Sequence, residues 1–85
     1  MNDTKQKYVR LKDYNVIIFF PCLLEHSQFK HFNPVSAGFC YVDAAEQKVS
    51  CFGESFSLGL KSDEKGDTTY ATKQVFGIEA MLKLL

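Results

Sequence analysis

The sequence has no tryptophan, two prolines and five glycines among 85 residues, and its ten basic residues balance ten acidic ones. A chain without net charge lacks the electrostatic footprint of a general nucleic-acid binder, so nucleic acid is not an expected partner. Basic residues do bunch at 5–12, but Asp3 and Asp13 bracket them. We expect residues 1–13 to form a polar, flexible start to a single domain that spans residues 1–85.

Long apolar runs are missing as well. The longest one, VIIFFPCLL at residues 16–24, falls far short of the roughly 18–20 residues that span a bilayer, so no membrane partner is expected. No cleavage signal of small residues follows it, because the chain continues into Glu25 and His26. Three cysteines, an odd number, favour free thiols over a disulfide framework. These absences together predict a cytoplasmic protein.

The sequence is rich in apolar residues: 46% are hydrophobic, including eight Phe and four Tyr, which is enough for a core. The run NVIIFF at 15–20 is β-branched and aromatic and predicts a buried strand. Pro21 ends this strand and favours the start of a helix, which we place over CLLEHSQFKHF at 22–32. The Asn-Pro pair at 33–34 closes the helix, because a residue before proline avoids helical geometry.

Two segments, 35–43 and 48–56, predict a central antiparallel hairpin. Setting Asp43 opposite Lys48 makes like residues face each other across the strands, as in these pairs: Val42 with Val49, Cys40 with Cys51, Phe39 with Phe52, Gly38 with Gly53, and Ser36 with Ser55. One face of the hairpin carries large apolar residues, whereas the other carries small ones that let a backbone, a helix or a ligand come close. Glu54 interrupts the apolar face, which predicts a bulge or bend near Gly53.

The end of the chain predicts a helix that is capped by Asp67 or Thr68 and broken at Gly77. Its apolar residues follow helical spacing and should pack on the sheet: Ala71, Val75, Ile78, Leu82 and Leu85. We expect a homodimer through a sheet edge or through this end of the chain, with the interface formed by Ile78, Met81, Leu82 and Leu85. The order β-α-β-β-α predicts an α+β fold, a small two-layer domain with a C-terminal amphipathic helix.

The stretch GESFSLGLKS at 53–62 is a candidate ligand site. Gly53, Gly59, Lys61 and Ser62 follow the order of a phosphate-binding Walker A loop, but with one residue added before the second glycine and one after it. Glycines and serines recur at every second position, which is typical of a strand and argues against nucleotide hydrolysis. Binding of a nucleotide or another phosphorylated molecule without turnover stays open. The residues that would bind it are Ser36, Gly38, Gly53, Ser55, Ser57, Gly59, Lys61 and Ser62.

Cysteine and histidine give a second candidate site. Cys22 and His26 are four residues apart on the predicted helix, and Cys40 and Cys51 are neighbours across the hairpin. Together they could supply a zinc site of three thiolates and one imidazole. The simpler interpretation is that cysteine is a common small core residue, and no C-x-x-C pair supports a metal. We therefore expect no cofactor and, without an activated nucleophile, no enzyme.

The run G-x-S-x-S-L-G-L-x-S, with VIIFFP and SAGFCYV before it and an acidic loop and a helix after it, resembles small proteins of bacteriophage and mobile-element genomes. The resemblance covers about residues 16–76 and carries no assigned activity. It implies a protein that binds a host macromolecule, including components of antiviral defence. The leading hypothesis is therefore a small non-enzymatic interaction protein, a phage accessory or anti-defence factor that binds a host protein in the host cell cytoplasm. The alternative is a ligand-binding module that uses the face of residues 53–62.

Overall fold

The computed structural model describes residues 4–85; residues 1–3, where the segment expected to be flexible begins, lie outside that range. The described chain folds as an α+β domain, as the sequence predicts. Its strands are β1 (Gln6–Leu11), β2 (Val16–Pro21), β3 (Ser36–Asp43), β4 (Lys48–Phe52), β5 (Glu54–Ser55) and β6 (Leu60–Lys61). Its α-helices are α1 (Glu64–Phe76) and α2 (Ile78–Leu82), and short 3-10 helices cover Lys12–Tyr14 and His26–Phe32.

The main sheet has the strand order β2-β1-β3-β4, and all its pairs are antiparallel. β1 lies in the middle of this sheet, so the prediction of a flexible segment is wrong for Gln6–Leu11. Tyr8 and Val9 are fully buried there. Lys7 is buried too, because its stem packs inside while its Nζ donates a hydrogen bond of 2.7 Å to the carbonyl of Leu24. The charged residues of this segment therefore concealed a central strand.

The predicted register of the β3–β4 hairpin is confirmed from its loop as far as Phe52. β4 ends there because Gly53, at φ 80°, turns the chain out of the strand, which is the bend that the sequence predicts. Beyond this bend the two remaining predicted pairs are not sheet partners: Gly38 with Gly53, and Ser36 with Ser55.

The strand-like alternation of residues 53–62 does not correspond to one continuous strand. β5 and β6 instead pair with each other, with Glu54 opposite Lys61, and residues 56–59 form the turn between them. Gly59 closes the turn at φ 66°, where glycine has no steric penalty. The turn holds an even number of residues, so small and large side chains continue to alternate through it. In the sequence, the two strands and the turn therefore resemble one strand.

The first predicted helix is a 3-10 helix and is shorter than expected. Pro21 is the last residue of β2, and its carbonyl accepts a hydrogen bond of 3.0 Å from the backbone N–H of Leu24, which makes a turn. Glu25 then returns to an extended conformation, so the helix begins only at His26. Asn33 ends it in the left-handed conformation, which confirms the predicted stop.

The sheet carries a core on each face. α1 packs on one face against a first cluster of buried residues: Tyr8, Ile17, Cys40, Val49, Cys51 and Ala71. On the other face, residues of the 3-10 helix His26–Phe32 and of the β5–β6 hairpin pack against a second cluster: Val9, Leu11, Phe20 and Ala37. The second face is therefore covered by short segments, whereas the first is covered by a full helix.

α1 begins after Asp63, whose carboxylate accepts a hydrogen bond of 3.3 Å from the backbone N–H of Gly66, so the cap lies before the predicted Asp67 or Thr68. Gly77, at φ 100°, separates α1 from α2 and confirms the predicted break. The predicted apolar stripe does not face the sheet beyond Ala71, since its other members are exposed: Val75, Ile78, Leu82 and Leu85. The buried residues of α1 are Asp67, Ala71 and Thr72.

Both edges of the main sheet are bonded to α1. On the β4 edge, the hydroxyls of Thr72 and Thr68 accept hydrogen bonds of 2.9 Å from the backbone N–H groups of Val49 and Cys51. On the β2 edge, the side-chain amide of Gln74 bonds both backbone groups of Ile17. It accepts a hydrogen bond from the N–H and donates one to the C=O, each at 2.8 Å. The bonded backbone groups of Ile17, Val49 and Cys51 are therefore not available for pairing with another strand.

Candidate functional site

The small-residue face of the hairpin is covered by α1. Ala71, which is fully buried, packs there against Cys40 and Cys51, and the side chains of Thr68 and Thr72 bond the backbone of β4. The small side chains thus let a helix of the same chain approach closely. At Cys40 and Cys51 this face is occupied by α1, and at Gly38 its near neighbours are the carbonyl of Phe52 and the side chain of Ser62.

The residues of the predicted ligand site are largely inside the fold. Ser36, Gly38 and Ser55 are buried. The hydroxyl of Ser55 accepts a hydrogen bond of 3.2 Å from the backbone N–H of Leu58 and so stabilises the β5–β6 turn. The hydroxyl of Ser36 has no hydrogen-bond partner among residues 4–85. None of the three is accessible to a ligand in solution.

The remaining residues of that site point to different places. Ser57 and Lys61 are exposed on the β5–β6 hairpin, and Ser57 lines a shallow groove of about 260 Å³ together with Lys30. The hydroxyl of Ser62 instead lies 2.6 Å from the hydroxyl of Tyr8, inside the domain. Gly53 and Gly59 are exposed turn residues. The structure therefore does not bring the eight predicted residues into one site.

The four candidate zinc ligands lie on different sides of the sheet. Cys40 and Cys51 face α1, whereas His26 packs on the opposite face with its ring 5.7 Å from that of Phe39. Cys22 is exposed. No single ion can reach all four, so the proposed zinc set is wrong. Across the described part of the chain, no three His, Cys, Asp or Glu side chains are placed to hold a metal.

The two core cysteines are not activated as nucleophiles. Burial raises the pKa of Cys40 and the pKa of Cys51 to about 12. Both are therefore protonated thiols near neutral pH, and the thiol is much less reactive than the thiolate. They act as small core residues between the sheet and α1.

His26 is buried and joins the 3-10 helix to β3. Its Nε2–H donates a hydrogen bond of 2.8 Å to the carbonyl of Gly38, and its ring packs edge-on against Phe20 and Phe39. Burial lowers the pKa of His26 below its ordinary value of 6.5; this effect outweighs the hydrogen bond to Gly38, which raises it. Lys7 also lowers this pKa and Glu25 raises it.

We expect the stability of the domain to fall as the pH is lowered through about 6.5. The unfolded chain binds a proton on His26 at its ordinary pKa, whereas the folded chain resists protonation, so acid favours unfolding. Urea unfolding at about pH 7.5 and about pH 5.5 measures this loss. His26→Gln retains an N–H donor but does not titrate, so the loss should shrink. The exposed His31→Gln serves as the control, and an equal loss in the His26 variant would refute the assignment.

A buried polar network joins β1 to the start of α1. The carboxylate of Asp67, fully buried, accepts hydrogen bonds from the hydroxyl of Tyr8 at 2.5 Å and from the backbone N–H of Asp63 at 3.1 Å. It also pairs with the guanidinium of Arg10 at 3.1 Å. Burial, followed by the bond to Asp67, raises the pKa of Tyr8, so its hydroxyl stays protonated as a donor. The carboxylate of Asp67 thus finds its partners within the protein and ties β1 to the start of α1.

The network does not follow from the predicted elements, because β1 is not among them. Tyr8 and Arg10 are two residues apart on a strand, so their side chains lie on the same face of the sheet. That face is the one covered by α1, where Asp67 stands in the first turn. The alternation of QKYVRL was the available signal, hidden by its charges.

Next to the network lies an open groove of about 500 Å³ between α1 and α2. Its cationic side chains come from Arg10 and from two exposed residues of α1, Lys65 and Lys73. Its apolar wall is formed by Tyr70 and Met81. Met81 thus departs from the predicted interface set and turns toward the groove.

The outer side of α2, together with Leu85 just after it, is apolar and exposed. Ile78, Leu82 and Leu85 have 56%, 55% and 79% of their surface accessible, whereas Ala80, on the inner face, has 3%. Glu79 and Lys83 are also exposed and stand one helical turn apart beside these residues. We call the three apolar residues Ile78, Leu82 and Leu85 the α2 apolar face.

Comparison with protein-family models, with curated proteins and with solved structures finds no match to this chain. None of the helices in residues 4–85 combines the length and the apolar character that crossing a membrane requires.

Proposed function

We propose that this chain is a small non-enzymatic interaction protein that binds a protein partner through the α2 apolar face. The observation that supports it most is the exposure of Ile78 and Leu82, one turn apart on α2, and of Leu85 in the segment that follows, each more than half accessible. Removing such side chains from water is a main driving force of protein association. The face needs no cofactor.

Charge beside the α2 apolar face supports a specific contact. Glu79 and Lys83 give this short surface one negative and one positive group. In an antiparallel pairing of two copies, Glu79 of one copy would lie near Lys83 of the other. We therefore include in the proposal a homodimer that uses this same face when no other partner is bound.

The resemblance to small bacteriophage proteins supports a host protein as the partner and an accessory or anti-defence role in the host cytoplasm. In such a role, the chain would occupy a surface of the host protein and would not transform a substrate. Two of the three cysteines, Cys40 and Cys51, are buried, protonated thiols, which is in keeping with this.

The double variant Ile78→Glu/Leu82→Glu tests the proposal. Both positions are exposed, so we expect an unchanged thermal midpoint but association weakened by at least about tenfold, because charges enter an apolar contact. Light scattering measures the homodimer, and affinity capture from a bacterial host lysate followed by mass spectrometry measures the partner. The partner should be captured by the parent chain and lost with the variant.

The matched control is Leu23→Glu/Phe56→Glu. Both residues are 89% exposed and stand on other segments, so the control changes the same number of apolar residues to the same charge. It should retain dimer and partner. A parent chain that is monomeric at high concentration refutes the homodimer, and a captured partner that the α2 variant still binds refutes the face.

The alternative, a phosphorylated ligand on the face of residues 53–62, remains a separate proposal with its own test. It is supported only by the exposure of Ser57 and Lys61. Replacing these two residues with alanine should abolish ligand binding with the fold intact if the alternative holds. It should change nothing in partner capture if the α2 apolar face is the binding surface.

A further inference from the structure

We infer that the groove between α1 and α2 binds a small phosphorylated ligand with an aromatic or apolar part, such as a nucleoside diphosphate. This groove holds Arg10, Lys65 and Lys73 and measures about 500 Å³, within the range of small-molecule sites. None of these residues belongs to the face of residues 53–62. The inference does not depend on the α2 apolar face.

The guanidinium of Arg10 is held in place before any ligand binds. One of its nitrogens donates to the carboxylate of Asp67 at 3.1 Å, and the group lies over the ring of Tyr70 at 4.5 Å from its centroid. Tyr70 is itself held, because its hydroxyl bonds the side chain of Asn15 at 2.6 Å. A guanidinium has five N–H donors, so donors remain free to face the groove.

Positive charge is concentrated in this groove although the whole chain is neutral. Lys65 and Lys73 stand two turns apart on the same side of α1 and form no ion pair among the described residues. The carboxylate that lines the groove belongs to Asp63 and already accepts the backbone N–H of Gly66. Arg10 is paired with Asp67 and Asp63 adds a second carboxylate, so the three cations exceed the carboxylates by one. The two lysines without an ion pair supply the positive charge that favours an anionic ligand.

The apolar wall sets the other half of the ligand. Met81, partly buried, comes from α2 and Tyr70 from α1, so the wall spans both helices. The flexible side chain of methionine adapts to an aromatic ring, and the guanidinium of Arg10, which lies over one face of Tyr70, is itself a flat group on which a ring can stack. A ligand could bind with its phosphates beside the cationic side chains and its base against this apolar wall, and so contact both parts of the groove.

ADP is the probe for the test, measured by titration calorimetry at low salt, with adenosine and inorganic pyrophosphate as its two halves. The parent chain should bind ADP more tightly than either half, and added salt should weaken binding. The double variant Lys65→Gln/Lys73→Gln should weaken ADP binding by about tenfold or more, since each lysine loses a charge-assisted hydrogen bond. Both positions are exposed, so circular dichroism should show an intact fold.

The matched control is Lys12→Gln/Lys30→Gln, which removes two exposed lysines outside the groove. It should bind ADP as the parent does. Loss of binding in this control, or equal binding in the groove variant, overturns the inference, as does no binding of ADP at about 1 mM. Stronger binding of a single-stranded oligonucleotide than of ADP, lost in the groove variant, overturns the small-ligand claim in favour of nucleic acid. The Ile78→Glu/Leu82→Glu variant should retain ADP binding, which keeps this test apart from that of the proposed function.

Discussion

Replacing Asp67 with asparagine is expected to lower the free energy of unfolding by about 3 kcal/mol. The carboxylate is fully buried and accepts from Tyr8, from the backbone N–H of Asp63 and from Arg10. An amide of the same shape has one acceptor oxygen and places its NH₂ against at least one of these donors. The positive charge of Arg10 also loses its partner, although partial exposure to water limits that cost.

Urea unfolding followed by circular dichroism measures this loss at neutral pH. The control is Asp13→Asn, which makes the same chemical change at an exposed position outside the network and should cost less than about 0.5 kcal/mol. A loss below about 1 kcal/mol for the Asp67 variant would mean that the network does not hold α1 on the sheet.

The network also explains where the sequence analysis succeeded and where it failed. The β3–β4 register followed from the pairing of like residues, because Val42 with Val49 and Cys40 with Cys51 are local in sequence and fix each other's faces. β1 pairs with β2 across a connection as short as that of β3–β4, but Lys7 and Arg10 hide its apolar pattern. Its second pairing, with β3, crosses a long connection. Its polar residues could be interpreted only once their contacts were known, such as that of Lys7 with the carbonyl of Leu24.

The prediction for the C-terminal helix was wrong for a different reason. Its apolar residues follow helical spacing, but the break at Gly77 changes the direction of the chain, so spacing across it does not define one face. The helix side that meets the sheet carries threonines, because Thr68 and Thr72 bond the edge of β4. A prediction from apolar periodicity counts threonine as polar and therefore assigns Thr68 and Thr72 to the solvent-exposed side of the helix.

The candidate sites were harder to predict than the fold. The ligand site at residues 53–62 was inferred from small residues. Small residues indicate that another group comes close, but they do not show whether that group is a ligand or part of the protein. Ser36 and Gly38 are covered by the protein itself. The groove at Arg10 depends on three elements that meet only in the folded chain, namely β1, α1 and α2. No pattern within one segment contains that information.

Gly38 is where this close approach has its largest consequence, and Gly38→Ala is expected to cost about 3 kcal/mol. A Cβ at this position would lie less than 3.0 Å from the carbonyl oxygen of Phe52 and 3.3 Å from the Cβ of Ser62. The first neighbour is backbone at the end of β4, so it cannot rotate away, and β3 is fixed by pairing on both sides. Relief would require β4 to move away from β3 just before the bend at Gly53.

The matched control is Gly59→Asn, which also replaces a glycine by a larger residue. An added Cβ at Gly59 meets nothing within 4 Å, and asparagine tolerates the left-handed conformation at φ 66°, so its cost should stay below about 1 kcal/mol. Thermal and urea unfolding compare the two variants. We expect the Gly38 variant also to disturb the position of the His26 ring, because the ring donates its hydrogen bond to the carbonyl of Gly38. If Gly38→Ala unfolds no more easily than Gly59→Asn, β3 and β4 do not lie close together at Gly38. Glycine would then not be required at this position by the carbonyl of Phe52.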